Sequence, residues 1–300
     1  MEQHNHEQEN QKAKKDYNNI KSYDDELDIV YSLLRRAKPV EKEIIQEFQE
    51  ILMELCDLYN DIFPFYYTNG VLNKKEFQKL FLSLITTKSG LNSEIKDAID
   101  KMIDKVNQLQ RNKLMAWLIL DYELTAQKTS KSVGLDYNKY NEFLTQQHKE
   151  EIVRQSWCKD GKTFLERIDD NTKTMNRQLR ATILEGIEKG WTIEQMSEHF
   201  RKITGVAANK AARLIRTETM AVYSKVTKEI FLERGIEYVE IIGDAICGGI
   251  CLDYVGEAVP LRDAAVGIDL PPYHPNCACS FCSYTEFEDI TDFVEIYDFE

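Results

Sequence analysis

Cys247-Gly-Gly-Ile-Cys251, followed by Pro271-Pro-Tyr-His274-Pro-Asn-Cys277-Ala-Cys279-Ser-Phe-Cys282, marks where this chain changes character. Five of its seven cysteines lie here, with a histidine, and no other His or Cys occurs between residues 200 and 300. Six soft ligands in so short a span point to a metal site or a covalent cross-link. Four of the six prolines and six of the thirteen glycines lie from Gly235 onward, so the texture here is that of a small loop-rich module. Such a module buries too little apolar surface to be rigid unaided, a second reason to expect a staple. Ile236-Glu-Tyr-Val-Glu-Ile-Ile242 is its most β-prone segment.

A structural zinc takes four thiolate or imidazole ligands, usually as two local pairs. Cys247 and Cys251 form one pair. The second comes from His274, Cys277, Cys279 and Cys282, where Cys279-x2-Cys282 has knuckle spacing and His274-x2-Cys277 nearly matches it. A disulfide such as Cys247–Cys277 or Cys251–Cys279, or a set of reduced thiols, is the alternative. No Glu or His is spaced to serve a catalytic zinc as general base. The N-terminus has no apolar signal core, so the expected compartment is intracellular and reducing, which favours metal over disulfide.

Upstream of the module the pattern is helical. Ile44, Phe48, Ile51, Leu52, Leu55, Tyr59 and Ile62 repeat at helical spacing over residues 43–63, with Cys56 on the same stripe as ordinary core. Asn73 with Glu76 opens a helix that Gly90 ends, and Ser93 opens a long one carrying Ile95, Ile99, Met102 and Val106. Residues 129–136, rich in Ser, Thr and Gly, read as a linker. Thr163 with Glu166 forms a capping box and Gly190 a stop; Thr192 with Gln195 starts a short helix that Gly205 ends. A helix of roughly 27 residues then runs from about Ala207 to Arg234. The expected fold class is mainly α: an elongated helical N-terminal and middle region with a small α+β, loop-rich C-terminal module stapled by Cys and His. The expected segments are a disordered 1–22, a helical 23–130, a helical core 137–235, a Cys/His-rich 236–285 and an acidic tail 286–300.

The net charge of −13 is unevenly spread. Residues 1–150 carry 21 basic and 25 acidic side chains, residues 151–235 carry 16 and 12, and residues 236–300 carry 1 and 14. Only the middle segment is suited to nucleic acid, and the tail would repel it. Within it, Lys173, Arg177 and Arg180 share one helix face, and Lys210, Arg213 and Arg216 form a stripe on another. The plain reading of both is a solvated face; the sharper one is phosphate contact. The longest apolar run, Leu114 to Leu120, is too short to span a bilayer. No phosphate-binding glycine loop, nucleophile elbow or His-Glu-x-x-His helix is present.

Taken in order, Arg213-Leu-Ile-Arg216-Thr217-Glu218, the Cys247…Cys251 turn, Pro271-Pro272 and His274-Pro275-Asn276-Cys277-Ala-Cys279 resemble the Mu F-like phage head morphogenesis family, also called minor head or minor capsid proteins. The likeness covers about residues 150–285 and includes the Trp157…Gly161…Arg167 start. It departs from the pattern in having Cys-x3-Cys for Cys-x2-Cys and alanine for arginine in the last motif. It implies a non-enzymatic structural protein of a tailed double-stranded DNA phage. Such a protein works in virion assembly and DNA ejection: it associates with portal and other head or scaffold proteins in the host cytoplasm and ends inside the virion head. It would carry a structural zinc and touch double-stranded DNA weakly and without sequence preference. Arg216, Thr217 and Glu218 would be a structural motif, with Arg216 bonded to carbonyls of the loop module and Glu218 to a basic group or backbone amide. The competing reading is a zinc-dependent hydrolase or nuclease using the Cys/His group and Glu218.

Overall fold

One of the three long helices is divided in two by sequence reasoning. In a computed structural model of the chain, which describes residues 23–85, 92–142, 144–243 and 249–284, helix α7 runs unbroken over Ile193–Glu233. Its start is as expected: Thr192 and Gln195 cap each other, Thr192 N donating to Gln195 Oε1 at 3.0 Å. Gly205 does not end it. A glycine inside a helix costs only about 1 kcal/mol relative to alanine. Buried Met196, Phe200, Ala207, Ala208, Ala211, Ala212 and Ile215 continue one apolar face straight through the site. Tertiary burial outweighs the local break.

Six further helices complete the described α structure: α1 (Tyr23–Tyr66), α2 (Lys74–Ile85), α3 (Asn92–Ser132), α4 (Tyr137–Asn141), α5 (Gln146–Arg154) and α6 (Phe164–Lys189). The chain is thus mainly helical with a small sheet-containing C-terminal region. Helix α1 extends well beyond the expected 43–63, because Ile29, Val30, Leu33 and Ala37 prolong its buried stripe. It absorbs Pro39, at the loss of one backbone bond. Helix α6 shows both expected ends: the Thr163–Glu166 capping box, and Gly190 at φ 66°, the left-handed conformation that stops a helix. Asn69 and Gly70, both at positive φ, turn a two-residue hairpin between β1 (Tyr67–Thr68) and β2 (Val71–Leu72), a signal present in the sequence as Asn-Gly.

Contacts gather the chain into two units that cut across the sequential segments. Unit one takes Met1–Leu33, Asp121–Ile152 and Met220–Glu300; unit two takes Leu34–Leu120 and Val153–Thr219. Unit two has a core of Phe48, Leu55, Tyr59, Leu80, Ile99, Leu114, Phe164, Leu179, Ile187 and Phe200. Tyr59 meets Phe200 edge to face and donates its hydroxyl to Trp191 O at 2.9 Å. Unit one is built on Leu33, Tyr122, Tyr223, Val226, Ile230 and Phe231, with Phe281 packed against Tyr223 and Phe231. Each such side chain contributes about 1.5–3 kcal/mol by leaving water.

The stretch 129–136 is a second departure. Helix α3 continues to Ser132, and Thr129 and Ser130 are fully buried in unit one. Ser132 Oγ donates to Thr129 O at 2.7 Å and Thr129 Oγ1 lies 3.4 Å from Thr227 Oγ1, while the Ser130 hydroxyl has no hydrogen-bond partner among the described residues.

After α7 the chain forms a three-stranded antiparallel sheet in the order β4 (Ala258–Pro260), β3 (Tyr238–Ile242), β5 (Ser280–Tyr284). Val239 faces Val259 on one side and Ser283 on the other, and Ile241 faces Phe281. Pro260 sits on the edge strand, where its missing N–H costs no ladder bond. No described helix is long and apolar enough to cross a membrane. The 1–22 segment, the Gly90 helix end, Cys247 and the 286–300 tail lie outside the described residues.

Candidate metal centre

Two connections of the small sheet carry the cysteines. The β3–β4 connection includes a 3₁₀ turn over Gly249–Asp253, whose three residues per turn point successive side chains about 120° apart. Cys251 is fully buried, while Ile250 and Leu252 are exposed. The amides of Tyr254 and Val255 both bond Cys251 O at 3.1 Å, which fixes the turn.

The β4–β5 connection delivers the remaining ligands through one local device. His274-Pro275-Asn276-Cys277 is a tight turn closed by Cys277 N donating to His274 O at 3.1 Å, with Asn276 at φ 62°. Proline second and a left-handed asparagine third are the requirements of a type II turn. The turn sets His274 and Cys277 side by side. His274 Nε2 lies 3.0 Å from Cys251 Sγ, and Cys251 Sγ lies 3.7 Å from Cys277 Sγ. All three ligand atoms fall within 4.8 Å of one another, so the group could hold a metal ion. His274 Nδ1 sits 2.9 Å from Pro275 O, which can only accept. A neutral imidazole so placed carries its proton on Nδ1 and presents the Nε2 lone pair to the thiols.

The surroundings are dry and favour thiolate. Cys251, Cys277 and Cys279 form a buried cluster with Tyr273 against it. Tyr273 stacks on Tyr254 at 4.1 Å between ring centroids and donates to Asp269 O at 3.0 Å. The Cys277 thiol is drawn down to about 5, chiefly by a hydrogen bond from Cys279, and further by backbone amides and Cys251, against the opposing effect of burial. Burial and the neighbouring sulfurs push the Tyr273 hydroxyl up. Gly243 permits a close approach: a Cβ there would stand 2.8 Å from Cys279 Sγ.

Cys282 is not part of the group formed by Cys251, His274 and Cys277. It lies inside β5, paired with Glu240, and strand alternation puts it on the face of Ser280, whose hydroxyl is 2.6 Å from that of Tyr223. Burial and the charges of Glu240 and Glu26 push its thiol up to about 11, the opposite of a ligand's behaviour.

The helix motif is satisfied differently from expectation. Among the described residues Arg216 bonds no carbonyl of the loop module; its guanidinium forks onto Glu41 of α1 at 2.8 and 2.7 Å. Glu218 is buried and accepts from the indole of Trp157 at 3.1 Å. Thr217 Oγ1 donates to Arg213 O at 2.7 Å. Spacing along one helix shows neither Glu41 nor Trp157, because both lie outside α7.

Of the cationic faces, Lys173, Arg177 and Arg180 line an open cleft of about 420 Å³ with Asn176, Ala181 and Leu184. Arg180 is ion-paired with Asp100, which removes it from the free charges. Lys173 and Arg177 are exposed, as are Lys210 and Arg213 on α7. Tyr273, Gly243 and Glu41 are absent from the sequence-derived site; only Tyr273, between Pro272 and His274, had a positional cue. No family model matches the chain, no curated protein matches it, and no solved structure matches it.

Proposed function

We propose that this chain is a phage head-morphogenesis protein of the minor head type, in which a zinc ion staples the C-terminal module. The observation that carries the reading is the His274–Cys277 turn, which belongs to the most specific stretch of the resemblance and sets its ligands beside Cys251. Two sulfurs bonded at about 2.3 Å to a tetrahedral zinc stand roughly 3.7–3.8 Å apart. The Cys251–Cys277 separation of 3.7 Å fits that spacing. Cys279, buried beside Cys277, is the fourth ligand in this reading. The zinc's role is structural: it closes the loop between Cys251 and Cys277, and its binding energy becomes folding energy of the module.

In this role the protein associates with portal and other head or scaffold proteins in the host cytoplasm and ends in the virion head. Any DNA contact is made through the phosphate backbone by Lys173, Arg177, Lys210 and Arg213. The test is particle composition. Mass spectrometry of purified heads from the source phage or induced prophage should detect this chain in few copies, and deleting its gene should give defective heads that the intact gene rescues. Its absence from heads, together with metal-dependent cleavage of DNA or peptide that Glu218→Ala abolishes, would replace the structural reading with the hydrolase one.

A further inference from the structure

The interior of unit one holds a carboxyl group with nothing to bond. Asp121 is 0% exposed, and neither of its carboxyl oxygens has a hydrogen-bond partner among the described residues. Thr125, one turn on along α3, is equally buried and its hydroxyl is equally unpartnered; so is that of Ser224 on α7. Two contacts give the register of these helices. Thr129 Oγ1 lies 3.4 Å from Thr227 Oγ1, and Arg234 Nε donates to Val133 O at 2.9 Å, so α3 and α7 run side by side in the same direction. One turn back from Thr129 and Thr227 come Thr125 and Ser224, and one further turn along α3 comes Asp121. The three unsatisfied side chains therefore lie along one buried seam.

The charged groups of the surrounding elements are engaged elsewhere. On α7, Lys225 Nζ donates to Ile152 O at 3.0 Å, and Glu229 meets His148 of α5 and Tyr122 of α3, each at 3.5 Å. Lys149 of α5 pairs with Glu123 at 3.0 Å. Glu26 of α1 accepts from Tyr223 at 2.8 Å and from Ser132 at 3.2 Å. No cation neutralises Asp121 among the described residues, and burial alone holds its carboxyl well above the usual carboxylate range. An unpaired ion in such a place loses its hydration without compensation, and a carboxyl avoids that loss by keeping its proton.

We propose that Asp121 is a proton lock: in the folded chain it is a neutral carboxylic acid among the hydroxyls of Thr125 and Ser224, and releasing its proton loosens unit one. The folded state then holds a proton that the unfolded chain releases near its ordinary value of about 3.9. The contribution is full below that value and declines as pH rises, by up to about tenfold in the folding equilibrium per pH unit, until the folded group itself ionises.

The test uses the full-length chain and Asp121→Asn, unfolded by denaturant from about pH 5 to about pH 9. The variant should gain on the wild type as pH rises, by up to about tenfold per pH unit. Glu229, also pushed up by burial, is common to both proteins and cancels in the comparison. Infrared spectra of wild type with isotope-labelled aspartate should show a protonated aspartic acid at neutral pH, a readout that stands even where the variant fails to fold. A pH-independent difference, or no protonated aspartate in the wild type, would overturn the proposal. So would wild-type stability that depends on sodium or potassium against a bulky organic cation at equal ionic strength and loses that dependence in Asp121→Asn; the carboxylate would then be charged and cation-bound.

Discussion

Arg216 shows how much a partner's burial matters to an ion pair. Its side chain is 45% exposed, but Glu41 beneath it is only 8% exposed. Exposed pairs contribute little, as Lys79–Glu76 and Arg201–Glu198 should. Here the forked geometry and the buried carboxylate make removal of one partner costly. Arg216→Ala is expected to lower unfolding free energy by about 1–2 kcal/mol, and Arg216→Lys, which keeps the charge but not the fork, to recover only part of it. A double-mutant cycle with Glu41→Gln checks this: zero coupling would show that the pair is incidental. Trp157→Phe removes one donor from buried Glu218 and should cost about 1 kcal/mol by the same measurement.

Elements in this chain are held by their ends as much as by their faces. Thr163 Oγ1 accepts Glu166 N at 3.3 Å, and Glu166 Oε2 accepts Thr163 N at 2.8 Å, so two orphan amides of α6 are satisfied reciprocally. Thr163→Ala should destabilise by about 1 kcal/mol in urea unfolding. Gly205 offers the opposite case. A Cβ there meets nothing within 4 Å, so the glycine serves no close approach inside α7. Gly205→Ala should raise stability by about 0.5–1 kcal/mol by removing backbone freedom from the unfolded chain. A loss of stability would mean that α7 bends at this point in function or folding.

For the whole molecule, the metal centre and the charge map set the expectations. Purified under reducing conditions, the chain should carry about one zinc. Chelation should loosen the β3–β5 module and leave the helical circular dichroism nearly unchanged, and Cys251→Ser or Cys277→Ser should lower the metal content. Elemental analysis without metal, with a disulfide found by mass spectrometry, would keep the staple and remove the ion. DNA retention should be weak near physiological salt and fall steeply with it, since the total charge is −13. Replacing Lys173 and Arg177 by Ser should reduce the salt slope by about 2. Truncation after Tyr284, which completes β5, should strengthen binding by removing acidic residues. Tight, salt-resistant binding by the intact chain would contradict this map.

Local rules were enough for much of this. Capping pairs at Thr163–Glu166 and Thr192–Gln195, the stop at Gly190 and the apolar stripes are legible because each depends on residues within a turn or two. The candidate ligands Cys251, His274 and Cys277 were legible by type and clustering. What the amino-acid order alone left open was every choice between alternatives of equal local merit. Whether Gly205 breaks α7 depended on the buried face on either side of it. Whether Cys282 joins the cluster depended on where β5 begins, since strand alternation then puts it on the face of Ser280. Whether Arg216 is a free cation depended on Glu41, 175 positions away in sequence. Residue types and spacing determine which chemistry is on offer; long-range packing decides which groups meet, because burial and pairing energies between distant segments exceed the small local preferences that a sequence displays.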